Sequence, residues 1–232
     1  MSGDTRGVRG PMREVKTQAL VIRRTNYGEA DRILTLVTPA GKYAVMARGV
    51  RRAKSKLASA VEMFVLSDVV LHVGRGELAT LTHAKMLKFY GGILKDYEKL
   101  IVATTMLELA NKKVEGGGEV FDILRQALDA LDAGKNTAVV EAWFLLNLMR
   151  VSGEQVNLYR DTAGAPLAET ERYEWSMAEE ALVSRSQGAI DGDTIKIMRL
   201  MLMGALELAL RVKNVENYVD EILKIARAVS KQ

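Results

Sequence analysis

The sequence predicts a two-domain α+β chain, a small five-stranded β-barrel followed by an all-α helical bundle. Three observations predict it. Five short β-type runs crowd into residues 17–90, mostly joined by hairpin-length turns. From residue 91 the apolar spacing changes to a helical period. The charge changes at the same place: residues 1–90 hold 16 Lys+Arg against 7 Asp+Glu, and the remaining 142 hold 17 against 22. Five short strands cannot form a stable open sheet with one bare apolar face, and closing them into a barrel also removes the free edges.

Residues 1–15 carry Gly3, Gly7, Gly10 and Pro11 among charges and read as a flexible arm. Met12 is an alternative start, which would make residues 1–11 a leader. The barrel follows over residues 16–90. Ala19–Ile22 is the first β-branched run and Ile33–Val37 the second. Pro39-Ala40-Gly41 supplies a turn, and Lys42–Arg48 alternates after it. Met63–Val73 is a long fourth run, with a bulge expected at Ser67-Asp68. Gly74-Arg75-Gly76-Glu77 is a hairpin turn, and Leu78–Leu87 returns as the fifth strand.

The helical domain occupies residues 91–232. Asp96–Val114 is apolar on most sides, through Leu100, Ile101, Leu107 and Leu109, and reads as a buried helix ended by Gly116-Gly117-Gly118. Val120, Leu124, Ala127, Leu128 and Leu131 form a helical stripe closed by Gly134. Val139–Val151 is a third helix carrying Trp143, Phe144 and Leu148. Residues 152–190 are polar and irregular. Asp193 can cap a long helix running through Ile197, Met201, Ala205 and Leu208. Val219, Ile222, Leu223, Ala226 and Val229 form the last stripe, and the helices bury these faces on one another.

Several chemistries are excluded. No run approaches the roughly 18 to 20 apolar residues of a membrane span, and no apolar leader marks secretion. With no cysteine there is no disulfide framework and no thiolate zinc site. The only histidines, His72 and His83, fall in barrel strands without an orienting partner and read as structural. Gly74-Arg75-Gly76 lacks the third glycine and the following helix of a dinucleotide fingerprint. Glu29 and Asp31 flank Ala30 and read as turn residues that cap the turn or orient Arg32. No P-loop, nucleophile elbow or paired-carboxylate motif is present. Nothing here argues for an enzyme or a small-molecule substrate.

The basic front half points to a polyanion. Arg48-Gly49-Val50-Arg51-Arg52-Ala53-Lys54-Ser55-Lys56 places five cations within nine residues, between two strands. Such a segment reads as a mobile loop or short helix beside a barrel groove, where dense cations can follow a phosphate backbone. Arg23, Arg24, Arg32, Lys42 and Arg75 are further cations of the same barrel. Tyr27 and Tyr43 are candidate stacking surfaces for unpaired bases, with packing as the alternative role for each.

These residues resemble a known family. Tyr27-Gly28-Glu29-Ala30-Asp31-Arg32, Gly41-Lys42, Ala47 through Leu57 and Gly74-Arg75-Gly76-Glu77-Leu78 resemble, in order and spacing, the N-terminal domain of RecO recombination mediators. Val120–Leu124 through Gly134 and Trp143-Phe144-Leu145-Leu146 resemble the family's helical domain more loosely. The resemblance implies an OB-fold that binds single- and double-stranded DNA. It implies partnership with RecR and with the acidic C-terminal tail of single-stranded DNA-binding protein. The implied work is strand annealing and help in loading RecA onto coated DNA, in the cytoplasm near the nucleoid. Many members carry a four-cysteine zinc site after the third helix. The corresponding stretch here, around Ser152–Gly188, has no cysteine, so no zinc is expected.

The expected DNA contacts are thus Arg23, Arg24, Arg32, Lys42, Arg48, Arg51, Arg52, Lys54, Lys56 and Arg75. An acidic tail ending in apolar residues needs an apolar groove with a cation at its rim. Arg125, Arg150, Arg199 and Arg211 are the candidates in the helical domain. Two other readings remain open: an OB-fold RNA-binding or ribosome-associated module, and a metal-dependent nuclease using Glu29, Asp31, Glu62 or Asp68.

Overall fold

A computed structural model describes residues 13–113 and 118–230. The expected arm falls largely on residues 1–12, outside the described residues. Residues 13–15 are not part of an arm, because they open the first strand and pair with the fourth. The chain divides into two compact units, one ending at Phe89 and one beginning at Tyr90, with a short stretch ending at Phe121 grouped with the first.

The first unit is an OB-fold. Strands β1 (Arg13–Tyr27), β2 (Asp31–Thr38), β3 (Gly41–Ala47), β4 (Val65–Val73) and β5 (Ala79–Phe89) close in the order β1-β2-β3-β5-β4. All neighbours are antiparallel except β3 and β5. β1 is longer than its apolar run because it serves two partners. Its first half pairs with β4, from Arg13↔Val73 to Leu20↔Leu66. Its second half pairs with β2, down to Tyr27↔Asp31. A register shift between Val21 and Arg23 lets it bend from one to the other. β4 shifts register between Leu66 and Ser67, beside the expected bulge. Val21, Leu34, Leu36, Val45, Leu71 and Leu81 fill the barrel, each burial stabilising by about 1.5–3 kcal/mol. A 3-10 turn, Ala58–Val61, adds Ala60 and Val61 to that core, and the Ser67 hydroxyl donates to the Ala60 carbonyl at 2.7 Å.

The second unit holds α1 (Tyr97–Lys113), α2 (Gly118–Asp132) from Asp122 onward, α3 (Thr137–Ser152), α4 (Gly192–Met203), α5 (Leu206–Ala209) and α6 (Glu216–Ser230). α3 is its axis: every residue from Val139 to Met149 is buried, and α1, α4 and α6 pack on it. The stripes expected on α2 and α6 are buried. Three expectations need correction. α1 is not buried all round, since Ile101 is exposed. Asp191, not Asp193, caps α4, accepting from the Thr194 N–H at 2.8 Å. That helix stops at Gly204, whose carbonyl accepts from the Trp143 indole at 3.3 Å, so Ala205 and Leu208 end exposed.

Residues 152–190 are not irregular throughout. They contain a hairpin of β6 (Tyr173–Ser176) and β7 (Ala181–Ser184). Val156, Leu158, Tyr173, Leu182 and Ile190 are buried there. The Tyr173 hydroxyl accepts from the Ala168 N–H at 2.7 Å, and Tyr173 exchanges backbone bonds with Ile190. Gly188 lies so close that a Cβ would sit 2.3 Å from the Tyr173 carbonyl oxygen. No helix among the described residues is long and apolar enough to cross a membrane.

Candidate nucleic-acid interface

The β1–β2 turn and the segment that follows β3 lie at the same end of the barrel, because Arg32 pairs with Ala47 across β2 and β3. Backbone bonds then stitch the basic segment to that turn. Gly49, at φ +64°, donates its N–H to the Asp31 carboxylate at 2.7 Å. Arg51 donates its N–H to the Ala30 carbonyl at 2.9 Å and its guanidinium to the Gly28 carbonyl at 3.1 Å. Val50 is buried in the barrel core. The basic segment is therefore not the free loop expected from its composition. Its backbone is tied down while Arg48, Arg51, Arg52, Lys54 and Lys56 stay exposed. None of these five meets a carboxylate among the described residues.

Arg24 and Arg32 stand on adjacent strands and share one partner, Glu62. Arg32 Nη1 donates to Glu62 Oε1 at 2.7 Å, and Arg24 Nη1 donates to Oε2. Arg32 Nε also donates to Asn26 Oδ1 at 3.2 Å. Partial burial, and then the charges of Arg24 and Arg51, hold the Arg32 pKa below its ordinary value. Three guanidiniums therefore feel one another at this end. Arg23, just past the bulge in β1, is exposed, on the face of the strand opposite Arg24.

Lys42 and Arg75 do not join this cluster. Lys42 is the second residue of β3 and Arg48 follows its end, six residues or about 20 Å along an extended strand. The parallel register Val45↔Ala79 places the Arg75 turn beside the start of β3 as well. The two tyrosines also separate. Tyr43 is partly buried and packs on the barrel core, the packing role that is its alternative to stacking. Tyr27 is 55% exposed, and its strand partner is the same Asp31 that holds Gly49.

The carboxylates of the nuclease reading are spread over separate tasks. Asp31 holds the basic segment and Glu62 holds two arginines. Among the described residues no three His, Cys, Asp or Glu are grouped to hold a metal ion. The hairpin after α3 does not fit a thiolate zinc site either: the chain has no cysteine, and buried Tyr173 and Leu182 stand at its centre.

In the helical unit, a groove of 710 Å³ lies between α1, α3 and α6. Ile101, Val102, Leu109 and Leu145 give it an apolar floor, with Lys112, Lys113 and Arg227 among its lining. Lys113 pairs with Glu154 at 2.5 Å, and Arg227 grips Glu141 with two bonds of 2.7 and 2.6 Å. None of Arg125, Arg150, Arg199 and Arg211 lines this groove. Arg125 pairs with Asp122 and Asp129 beside a smaller cleft of 320 Å³. Arg150 donates to Asn147 at 3.4 Å. Arg199 donates twice to the Leu158 carbonyl and stacks over Tyr159. Arg211 meets Glu207 at 3.7 Å. Sequence reasoning missed Lys112, Lys113 and Arg227. The readable signal was the Lys112-Lys113 pair ending an apolar helix.

Comparison with known proteins gives a consistent result. Residues 12–90 match the family model described as Recombination protein O N terminal, and residues 94–231 match Recombination protein O C terminal. A protein named DNA repair protein RecO from Roseiflexus sp. (strain RS-1) is 36% identical over 161 residues, covering 68% of this chain and 56% of the relative. Its namesake from Exiguobacterium sp. (strain ATCC BAA-1283 / AT1b) is 34% identical over 142 residues, 60% of this chain and 57% of the relative. The namesake from Desulfitobacterium hafniense (strain DSM 10664 / DCB-2) is 28% identical over 228 residues, 92% and 83%. The chain thus spans little more than half the length of the first relatives it matches.

Proposed function

The chain belongs to the RecO family of DNA repair proteins, and from that premise we propose that it is a non-enzymatic mediator that captures DNA strands on its OB-fold and aligns them for annealing. The observation that carries the reading is the row Arg48, Arg51, Arg52, Lys54 and Lys56, exposed and without carboxylate partners among the described residues, beside exposed Tyr27. Phosphates engage the cations and release counterions, and Tyr27 offers a face to an unpaired base. Backbone capture with one stacking surface holds a strand without reading its sequence, as annealing of arbitrary complements requires. Capture of single strands, contact with duplex DNA and assistance to RecA loading follow from the same surface.

The reading includes RecR as a partner and the acidic tail of single-stranded DNA-binding protein as a ligand of the α1–α3–α6 groove. An apolar floor with Lys112 at its rim fits a short acidic peptide ending in apolar residues. It also includes folding without zinc and a place of action beside the nucleoid. The test is fluorescence-monitored annealing of complementary oligonucleotides, with and without the host's single-stranded DNA-binding protein, alongside binding of DNA and RNA strands of equal length. Acceleration of annealing on coated strands is the expected result. No acceleration, or clear preference for RNA, rejects the reading.

A further inference from the structure

Arg24 and the partly buried Arg32 differ from the five exposed cations of the basic segment, because a carboxylate already occupies them. Glu62 follows the 3-10 turn in an extended conformation, φ −82° and ψ 162°. The backbone around it is fixed on both sides: Ala60 and Val61 sit in the barrel core, and buried Phe64 is held at φ 59°, in the left-handed region that bulky residues rarely adopt. Held there, Glu62 gives one oxygen to each guanidinium, Oε2 to Arg24 and Oε1 to Arg32. A phosphodiester offers the same pattern, one negative charge shared by two non-bridging oxygens. Arg32 keeps a second anchor on Asn26, so its place does not depend on Glu62 alone. The charges of Arg24 and Arg51 both bear on Arg32, which favours an anion between Arg24 and Arg32.

We propose that Arg24 and Arg32 form a phosphate subsite whose built-in occupant is Glu62, and that the nucleic-acid backbone binds there by displacing this carboxylate. The proposal rests on the DNA-binding reading and deepens it. Its consequence is selectivity for polymers. A lone phosphate ion must compete with a tethered carboxylate and loses. A strand already held by Arg48 through Lys56 brings its next phosphate at high effective concentration, and the Arg24–Glu62 half of the bridge, exposed on both sides, yields to it first.

The test compares wild type, Glu62→Gln, the double variant Arg24→Gln/Arg32→Gln and the triple variant that combines all three changes, each in the full chain. Each is titrated against a fluorescein-labelled single-stranded oligonucleotide and followed by anisotropy. Glu62→Gln removes the competing charge and keeps the shape, so affinity rises about fivefold. Replacing the arginines then costs more affinity in the Glu62→Gln background than in wild type. Glu62→Asp, which keeps the charge but shortens the reach, tightens binding by less than Glu62→Gln and covers the case in which Glu62→Gln is poorly folded. Unchanged affinity in Glu62→Gln overturns the proposal by placing the pair off the strand's path. Weaker binding also overturns it, by making Glu62 a support for the arginines rather than a competitor. Wild type that fails to bind the oligonucleotide at any salt concentration is a different result, and rejects the DNA-binding reading itself.

Discussion

Asp31 and Glu62 decide what the barrel's cations can do. Asp31 directs its charge to the Gly49 N–H and so fixes a backbone, while Glu62 neutralises two side chains. The five cations after β3 are left to solvent. Replacing Arg51, Arg52, Lys54 and Lys56 with Ala should lower the log–log salt slope of single-strand binding by about 3, from four lost phosphate contacts. Folding should survive, because all four side chains are exposed and the Arg51 N–H bond to Ala30 does not depend on its side chain. Anisotropy titrations over a salt series check this, and an unchanged slope removes the segment from the contact surface. The density of these cations was readable in one dimension. The bridge to Glu62 was not, because it joins residues 30 and 38 positions apart.

At the scale of elements, caps and close approaches settled what periodicity left open. α4 begins where Asp191 accepts from both the N–H and the hydroxyl of Thr194, at 2.8 Å each. Partial burial works to raise the Asp191 pKa, but the Thr194 hydrogen bonds and the charge of Arg172 outweigh it and hold the carboxyl below its usual range. A depressed native pKa stabilises the fold above the unfolded-state value, and the gain disappears as pH falls through the native value. Asp191→Ala should therefore cost about 1 kcal/mol at neutral pH, and the gap to wild type should close in acid. Urea melts at several pH values measure it, and a gap that persists below the carboxylate range contradicts the cap. The neighbouring hairpin is packed around Tyr173. Its wild-type melt should not move on adding a strong chelator, and a fall would count against zinc-free folding.

At the scale of the molecule, both proposed ligands are anionic: a polyanion for the basic barrel, and an acidic tail for a helical unit that is acidic overall but carries local cations around its groove. Lys112→Ala should weaken an acidic, apolar-ended tail peptide about fivefold, the worth of one partly exposed charge contact. Saturating oligonucleotide should leave peptide affinity unchanged. Displacement of the peptide by DNA would mean that it binds the barrel by charge alone. Calorimetric titration of the full chain, with and without DNA, distinguishes the two.

The fold class, the five strands and their turns, the stripes of α2 and α6, and the basic segment after β3 are all legible in one dimension. Each is written in spacing, composition or contiguous charge, and those are local properties. Tertiary structure alone decided the rest. Closing the barrel split Lys42 and Arg75 from the other cations, packed Tyr43 and left Tyr27 exposed. Trp143 reached across to the Gly204 carbonyl where α4 stops. Packing α1 and α6 on α3 put Lys112, Lys113 and Arg227 around one groove, while Arg125, Arg150, Arg199 and Arg211 stand elsewhere on the helical unit. Each of these depends on which residues meet across long separations, and pairing of that kind is set by register and packing rather than by any local pattern.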